Sequence, residues 1–210
     1  MPELLFEILS EEIPACMQEQ AAADLKRLVT DGLNEAGLGF ETAHSYVTPR
    51  RLALVVYGLP DSTPDITEER RGPRTDAQEK AIQGFLGSIG LTLDDVEKRE
   101  TDKGQFYFAV IEKKGQKTKT LLKDLLDDAL VKLPWPKSMR WADAKIRWVR
   151  PVHSILCLFG GQVIPVIFGP YTAGNQTRAH RFLTKTVVEV TDFEEYKKSL
   201  ETGYVLLDRE

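Results

Sequence analysis

PELLFEILSEEIPA, residues 2–15, sets a short apolar run directly against the start of a helix. Residues 3–9 are too few for a helix of their own and are bounded by Pro2 and by SEEIP, so they are expected as a strand buried on at least one face. Pro14 fits the first turn of the helix that follows, where its missing N–H costs no hydrogen bond. From Gln18 to Ala36 the apolar positions Ala21, Leu25, Leu28, Val29 and Leu33 recur at helical spacing, and Gly37 and Gly39 end the run.

Next comes SYVTPRRLALVVYGL at 45–59, rich in β-branched and aromatic residues. Thr48-Pro49 interrupts it, which predicts two strands or one strand bent at the proline. Residues 60–74 read as a polar, proline-bearing connection and 76–88 as a helix with Ala81, Ile82 and Phe85 on one face. QFYFAVIEKKGQ reads as a strand, with a hairpin turn at Lys103-Gly104. Thr118 or Thr120 can cap a helix to about Lys132 whose stripe is Leu121, Leu122, Leu125, Leu126, Ala129 and Leu130; Leu133-Pro134-Trp135-Pro136 stops it.

Beyond the prolines the chain turns β-rich. SILCLFGGQVIPVIFG at 154–169 is a hairpin about Gly160-Gly161, and a loop at 172–178 leads to HRFL. A strand at 186–190, a helix at 192–201 and a strand at 203–207 complete the pattern. Helices and strands mix without regular βαβ alternation, so the expected class is α+β, with mixed, largely antiparallel sheets and packed helices. The expected division is an N-terminal α/β subdomain at 1–133 and a β-rich subdomain at 134–210. The closing VLLDRE reads as a cut through a longer chain.

A length of 210 residues fits one large domain or two small ones. Such a chain buries about 70% of its unfolded surface and needs no disulfide or metal to fold. With 42% hydrophobic and 29% charged residues it is not wholly disordered. No run of about 18 apolar residues is present to span a bilayer. The acidic N-terminus does not read as a secretory or organellar leader. Cys16 and Cys157 read as reduced, buried thiols of a cytosolic protein.

The net charge of −4 does not advertise nucleic-acid binding, but the charge is segregated. WPKSMRWADAKIRWVR at 135–150 holds Lys137, Arg140, Lys145, Arg147 and Arg150 against Asp143 alone, together with all three tryptophans, Trp135, Trp141 and Trp148. Interleaved guanidinium and indole groups suit phosphates and unstacked bases. The competing expectation is that the tryptophans plug the core while the arginines snorkel outward. Further basic clusters are Pro49-Arg50-Arg51, Arg70-Arg71-Gly72-Pro73-Arg74 and TRAHRFLTK at 177–185.

Catalytic patterns are mostly absent. His44, His153 and His180 show no metal-ligand spacing, and His153-Ser154 adjacency is not the spatial geometry of a nucleophile–base pair. There is no glycine-rich phosphate loop. Glu11 and Glu12 are expected to complement the positive end of the helix that follows them.

Eight segments in order resemble the β subunit of bacterial heterotetrameric glycyl-tRNA synthetase. They are LLFEILSEEIPA, TPRRLAL at 48–54, RGP at 71–73, TDKGQF at 101–106, LPWPKSMRW at 133–141, WVRPVH at 148–153, VIPV at 163–166 and TRAHRF at 177–182. Ala179 stands where that family commonly has glycine. The resemblance implies a cytoplasmic α₂β₂ enzyme in which ATP and Mg²⁺ are used by the α subunit, which attaches glycine to its tRNA. This region would be non-catalytic, with no cofactor or metal of its own. It would contribute tRNA binding and assembly with the α subunit, without a membrane role. The residues implicated in tRNA contact are Arg50, Arg51, Arg140, Trp141, Arg150, Arg178, His180 and Arg181. The alternative is a structural interface module that does not touch RNA.

Overall fold

The computed structural model describes residues 2–101, 104–140, 146–184 and 186–208. In chain order the elements begin with β1 (Leu4–Ser10), α1 (Ala15–Glu35), β2 (Thr42–Thr48), β3 (Arg51–Tyr57) and β4 (Ile66–Arg74). Then come α2 (Glu79–Ile89), β5 (Val96–Thr101), β6 (Gly104–Lys113), α3 (Thr118–Lys132), β7 (Met139–Arg140) and β8 (Arg147–Trp148). The last are β9 (Val152–Phe159), β10 (Gln162–Val163), β11 (Ile167–Phe168), β12 (Tyr171–Thr172), β13 (Gln176–Arg178), β14 (Val187–Glu189) and α4 (Phe193–Thr202). The class is α+β, and the named strand pairs are antiparallel.

The chain forms two compact units, Met1–Thr63 with Gln116–Glu210, and Pro64–Gly115. The first is built on a five-stranded sheet of order β10-β9-β1-β3-β2. All seven residues of β1 are buried, because both faces of the sheet are covered. Leu4, Phe6 and Ile8 pack with Leu25, Val29 and Leu33 of α1 and with Leu122 and Leu126 of α3. Leu5 points the other way, into a cluster with Phe193, Tyr196 and Leu200 of α4. The period of two continues in the neighbours: Leu52, Leu54 and Val56 join the first cluster, Ala53 and Val55 the second. A strand with two apolar faces does not alternate in sequence, which is why LLFEIL reads as a continuous apolar run.

The second unit is a three-stranded sheet of order β4-β6-β5 with α2. Its β4 was expected as a connection. ITEERRGPR lacks an apolar face, so its strand character comes from pairing with β6, with a register shift between Arg71 and Arg74 at Gly72-Pro73. Gly72 is required by space: a Cβ there would lie 2.5 Å from the Phe85 ring of α2.

Other expectations shift in detail. The 45–59 segment is two strands, with Pro49-Arg50 as the turn between β2 and β3. Residues 203–207 form no strand; Tyr204 takes φ 61°, which breaks extended structure. Thr118 does not cap α3, since its hydroxyl donates to the Pro60 carbonyl at 2.6 Å and Lys117 holds the cap position. The Lys103-Gly104 turn falls partly outside the described residues. Cys157 is buried, which pushes its thiol pKa up, whereas Cys16 is exposed on the first turn of α1; the expectation of two buried thiols holds only for Cys157.

The compact units do not divide at Pro134-Trp135-Pro136. β1 pairs with β3 on one side and with β9 on the other, so one sheet draws strands from both sides of that point. Trp148 belongs to the core, and Trp135 packs against it partly buried. Trp148 is fully buried, with its ring centroid 5.1 Å from that of Trp135 and 5.2 Å from that of Phe168. Among the described residues no helix is long and apolar enough to cross a membrane.

Candidate nucleic-acid interface

Four segments far apart in sequence meet at one end of the five-stranded sheet. The backbone brings three of them together around residues 10–13. Ser10 N–H donates to the Arg50 carbonyl (2.8 Å), Ile13 N–H to that of Pro49 (2.6 Å) and Glu11 N–H to that of Pro151 (2.9 Å). Side chains then gather on the two glutamates. Arg50 Nε donates to the Ser10 carbonyl at 3.2 Å, and its Nη2 lies 3.6 Å from Glu11 Oε1. His153 Nε2 lies 2.7 Å from the same oxygen. The fourth segment arrives with Arg181, whose Nη1 bridges Glu11 Oε2 (3.1 Å) and Glu12 Oε1 (2.7 Å). These glutamates stand just ahead of Pro14, the N-cap of α1, and pair with Arg50 and Arg181.

The hydrogen bond with His153, aided by the Arg50 guanidinium, holds the Glu11 carboxyl below the ordinary glutamate range. A lowered folded pKa gives stability that is fully present above the unfolded value of about 4.3 and lost as pH falls through the folded one. Glu11→Gln should thus be less stable than the parent at pH 7, with the gap closing below about pH 4. Urea unfolding from pH 7 to pH 3 checks this; a constant gap would mean that the charge on Glu11 is irrelevant.

Behind this surface lies a buried polar cluster. Glu7 on β1 is fully enclosed and accepts from Arg51 Nε (3.1 Å), from the Thr177 hydroxyl (2.7 and 3.0 Å) and from the Tyr196 hydroxyl (2.5 Å). Burial and the Glu7 carboxylate push the Tyr196 phenol well above its usual pKa, so it stays a donor. The cluster ties β3, β13 and α4 to β1 and so fixes where residues 178–182 leave the core. That exit is also shaped sterically: a Cβ on Gly203 would lie 2.5 Å from the Ala179 Cβ. The Ala179 methyl is accommodated there because Gly203 carries no Cβ.

The implicated residues fall into distinct settings. Arg51 is only 4% exposed and serves Glu7. Arg50 and Arg181 are partly exposed and paired with carboxylates. The His180 Nδ1 accepts from the N–H groups of Phe182 and Leu183 (3.3 and 3.2 Å), holding a turn. Arg150 is half-buried and donates to the Val149 carbonyl, with no acidic partner among the described residues. Arg178 on β13 is exposed. Arg140 is exposed on β7 opposite Arg147. Trp141 lies outside the described residues.

Arg50, Arg51, His180 and Arg181 line one pocket of about 290 Å³, between the β2–β3 turn, residues 179–182 and residues 204–206. Arg140, Arg150 and Arg178 do not line it. Among the lining residues that the sequence did not point to are Glu12, Phe182 (76% exposed) and Tyr204 (65% exposed). Phe182 sat within a motif already singled out, whereas Tyr204 was hidden in an expected strand. Among the described residues no group of three His, Cys, Asp or Glu side chains is placed to hold a metal ion.

A family model described as the glycyl-tRNA synthetase beta subunit matches residues 4–210. The chain is 49% identical over 212 residues to the glycine–tRNA ligase beta subunit of Ruegeria sp., covering 99% of this chain and 31% of that one. Identity to the beta subunit of Paracoccus denitrificans is 50% over 212 residues, with the same coverage. To that of Rhodospirillum centenum it is 48% over 235 residues, covering all of this chain and 33% of that one. The chain thus spans about a third of the length of the curated relatives it matches. The segments that meet around Glu11 and Glu12 fall within a match running almost end to end, and the chain belongs to the glycyl-tRNA synthetase beta-subunit family.

Proposed function

We infer that this region binds and positions tRNA for the ATP-dependent attachment of glycine, and helps assemble the β subunit with its α partner in a cytoplasmic α₂β₂ enzyme. The observation that carries this reading is the convergence of Arg50, His153 and Arg181 on Glu11 and Glu12 at one end of the sheet, beside a pocket with exposed aromatic rings. Arginines position phosphates, and aromatic faces take unpaired bases. Arg140 and Arg178, exposed on short strands, extend the set, and Trp141 remains a candidate for stacking. Arg51 and His180 act on RNA indirectly, by holding the β3 start and the 180–183 turn. Glycine activation, with its ATP and Mg²⁺, belongs to the α subunit, and no step of it is assigned to these residues. The contribution here is orientation, which lowers a barrier without a reacting group of its own.

A second reading has its own support. Arg50, Arg51 and Arg181 already have carboxylate partners, as a purely structural domain interface requires. Salt dependence separates the two. Affinity for glycine tRNA should fall steeply between about 50 and 200 mM salt, and Arg150→Ala should reduce the logarithmic slope by about one unit. Arg140→Ala should do the same. No binding by a folded chain would instead favour the interface module.

A further inference from the structure

The pocket between the β2–β3 turn and residues 179–182 lies near the small end of the ~300–1,000 Å³ range of ligand sites, at about 290 Å³. That is room for one nucleotide and too little for a duplex. Arg51 lines the pocket but is nearly sealed from solvent and held by Glu7, so the cations it offers a ligand are Arg50 and Arg181, with side chains 21% and 39% exposed. The mouth is aromatic. The Arg181 guanidinium lies 4.6 Å from the Phe182 ring centroid, which orders that ring, and Tyr204 is held at the opening by its left-handed backbone.

We propose that this pocket binds a single unstacked ribonucleotide, with its phosphate on Arg50 and Arg181 and its base on Phe182 and Tyr204. The proposal rests on the RNA reading above for its ligand's source, a loop or end of an RNA strand. Glu12 occupies the place of the phosphate, 2.7 Å from Arg181 Nη1 and 3.9 Å from Arg50 Nε. Its side chain is 55% exposed and free to swing out, so the phosphate displaces it. Removing that carboxylate should therefore strengthen phosphate binding, a gain that a merely structural Glu12 would not produce.

The test titrates the chain with adenosine 5′-monophosphate, with adenosine, and with a fluorescent single-stranded hexaribonucleotide, followed by NMR shifts and anisotropy. The monophosphate should move the resonances of Ala179, Phe182 and Tyr204 and bind more tightly than adenosine. Phe182→Ala and Tyr204→Ala should each weaken both phosphate-bearing probes about five-fold or more. Glu12→Gln should tighten the monophosphate but not adenosine. Val131→Ala, an equally exposed apolar change on α3, should alter neither. If tRNA binds with a steep salt slope while the Phe182 and Tyr204 variants match the parent, the pocket proposal fails and the RNA reading stands. If the monophosphate binds with the expected variant sensitivity while neither RNA does, the nucleotide site stands and the RNA source falls. Absence of any nucleotide binding overturns the pocket proposal outright.

Discussion

Glu7→Ala should lower the unfolding free energy by about 3–5 kcal/mol, the range for removing one partner of a buried ion pair. In a chain of this size that corresponds to roughly 6–20 °C in thermal midpoint. The size follows from what is left behind. Arg51, 4% exposed, would lose the acceptor 3.1 Å from its Nε, and the buried hydroxyls of Thr177 and Tyr196 would lose theirs at once. Each orphaned group carries its own desolvation cost. The cause can be separated from mere loss of volume. Replacing all four polar groups together, with Glu7→Leu, Arg51→Leu, Thr177→Val and Tyr196→Phe, leaves no buried charge and should be more stable than Glu7→Ala alone. Urea unfolding of the two variants decides the matter. A cost below about 1 kcal/mol for Glu7→Ala would mean that this cluster does not hold β13 and α4 to the sheet.

Trp148→Ala should cost about 3–5 kcal/mol, as large aromatic truncations in a core do. Trp148 is fully buried and is gripped edge-on by Trp135 and Phe168, with ring centroids 5.1 and 5.2 Å away. Where such neighbours relax only partly, the vacated volume stays a cavity and adds to the cost. Trp148→Phe should be much milder, because the Trp148 Nε1 has no hydrogen-bond partner among the described residues and phenylalanine gives up no bond. Thermal melts of both variants test this ordering. Equal losses would show that the indole edge contributes something other than packing.

Much of the fold was legible in local pattern. The helical stripe from Ala21 to Leu33 and the apolar run of Leu4–Leu9 each stand out as an α1 or β1 because burial imposes its own period on the chain. The same logic failed for β4, whose charged residues face solvent and whose strand form depends on β6 alone. It failed again at 203–207, where the left-handed backbone of Tyr204 is set by the packing of the turn after α4 rather than by β propensity. Of the candidate site, the basic motifs were visible and their partners were not. TPRR and TRAHRF read as free charge because the carboxylates that pair with them, Glu7, Glu11 and Glu12, lie some 40 to 170 residues away.

The sequence by itself determined the family, the α+β class and the list of arginines worth attention, since motif order and hydrophobic period are properties of neighbouring residues. Only the tertiary structure decided which of those arginines remain available. Whether a guanidinium is a ligand-binding group or an internal counterion depends on which strand ends the sheet brings beside it. That is a matter of long-range pairing, and it turned Arg51 inward onto Glu7 while leaving Arg150 without an acid among the described residues.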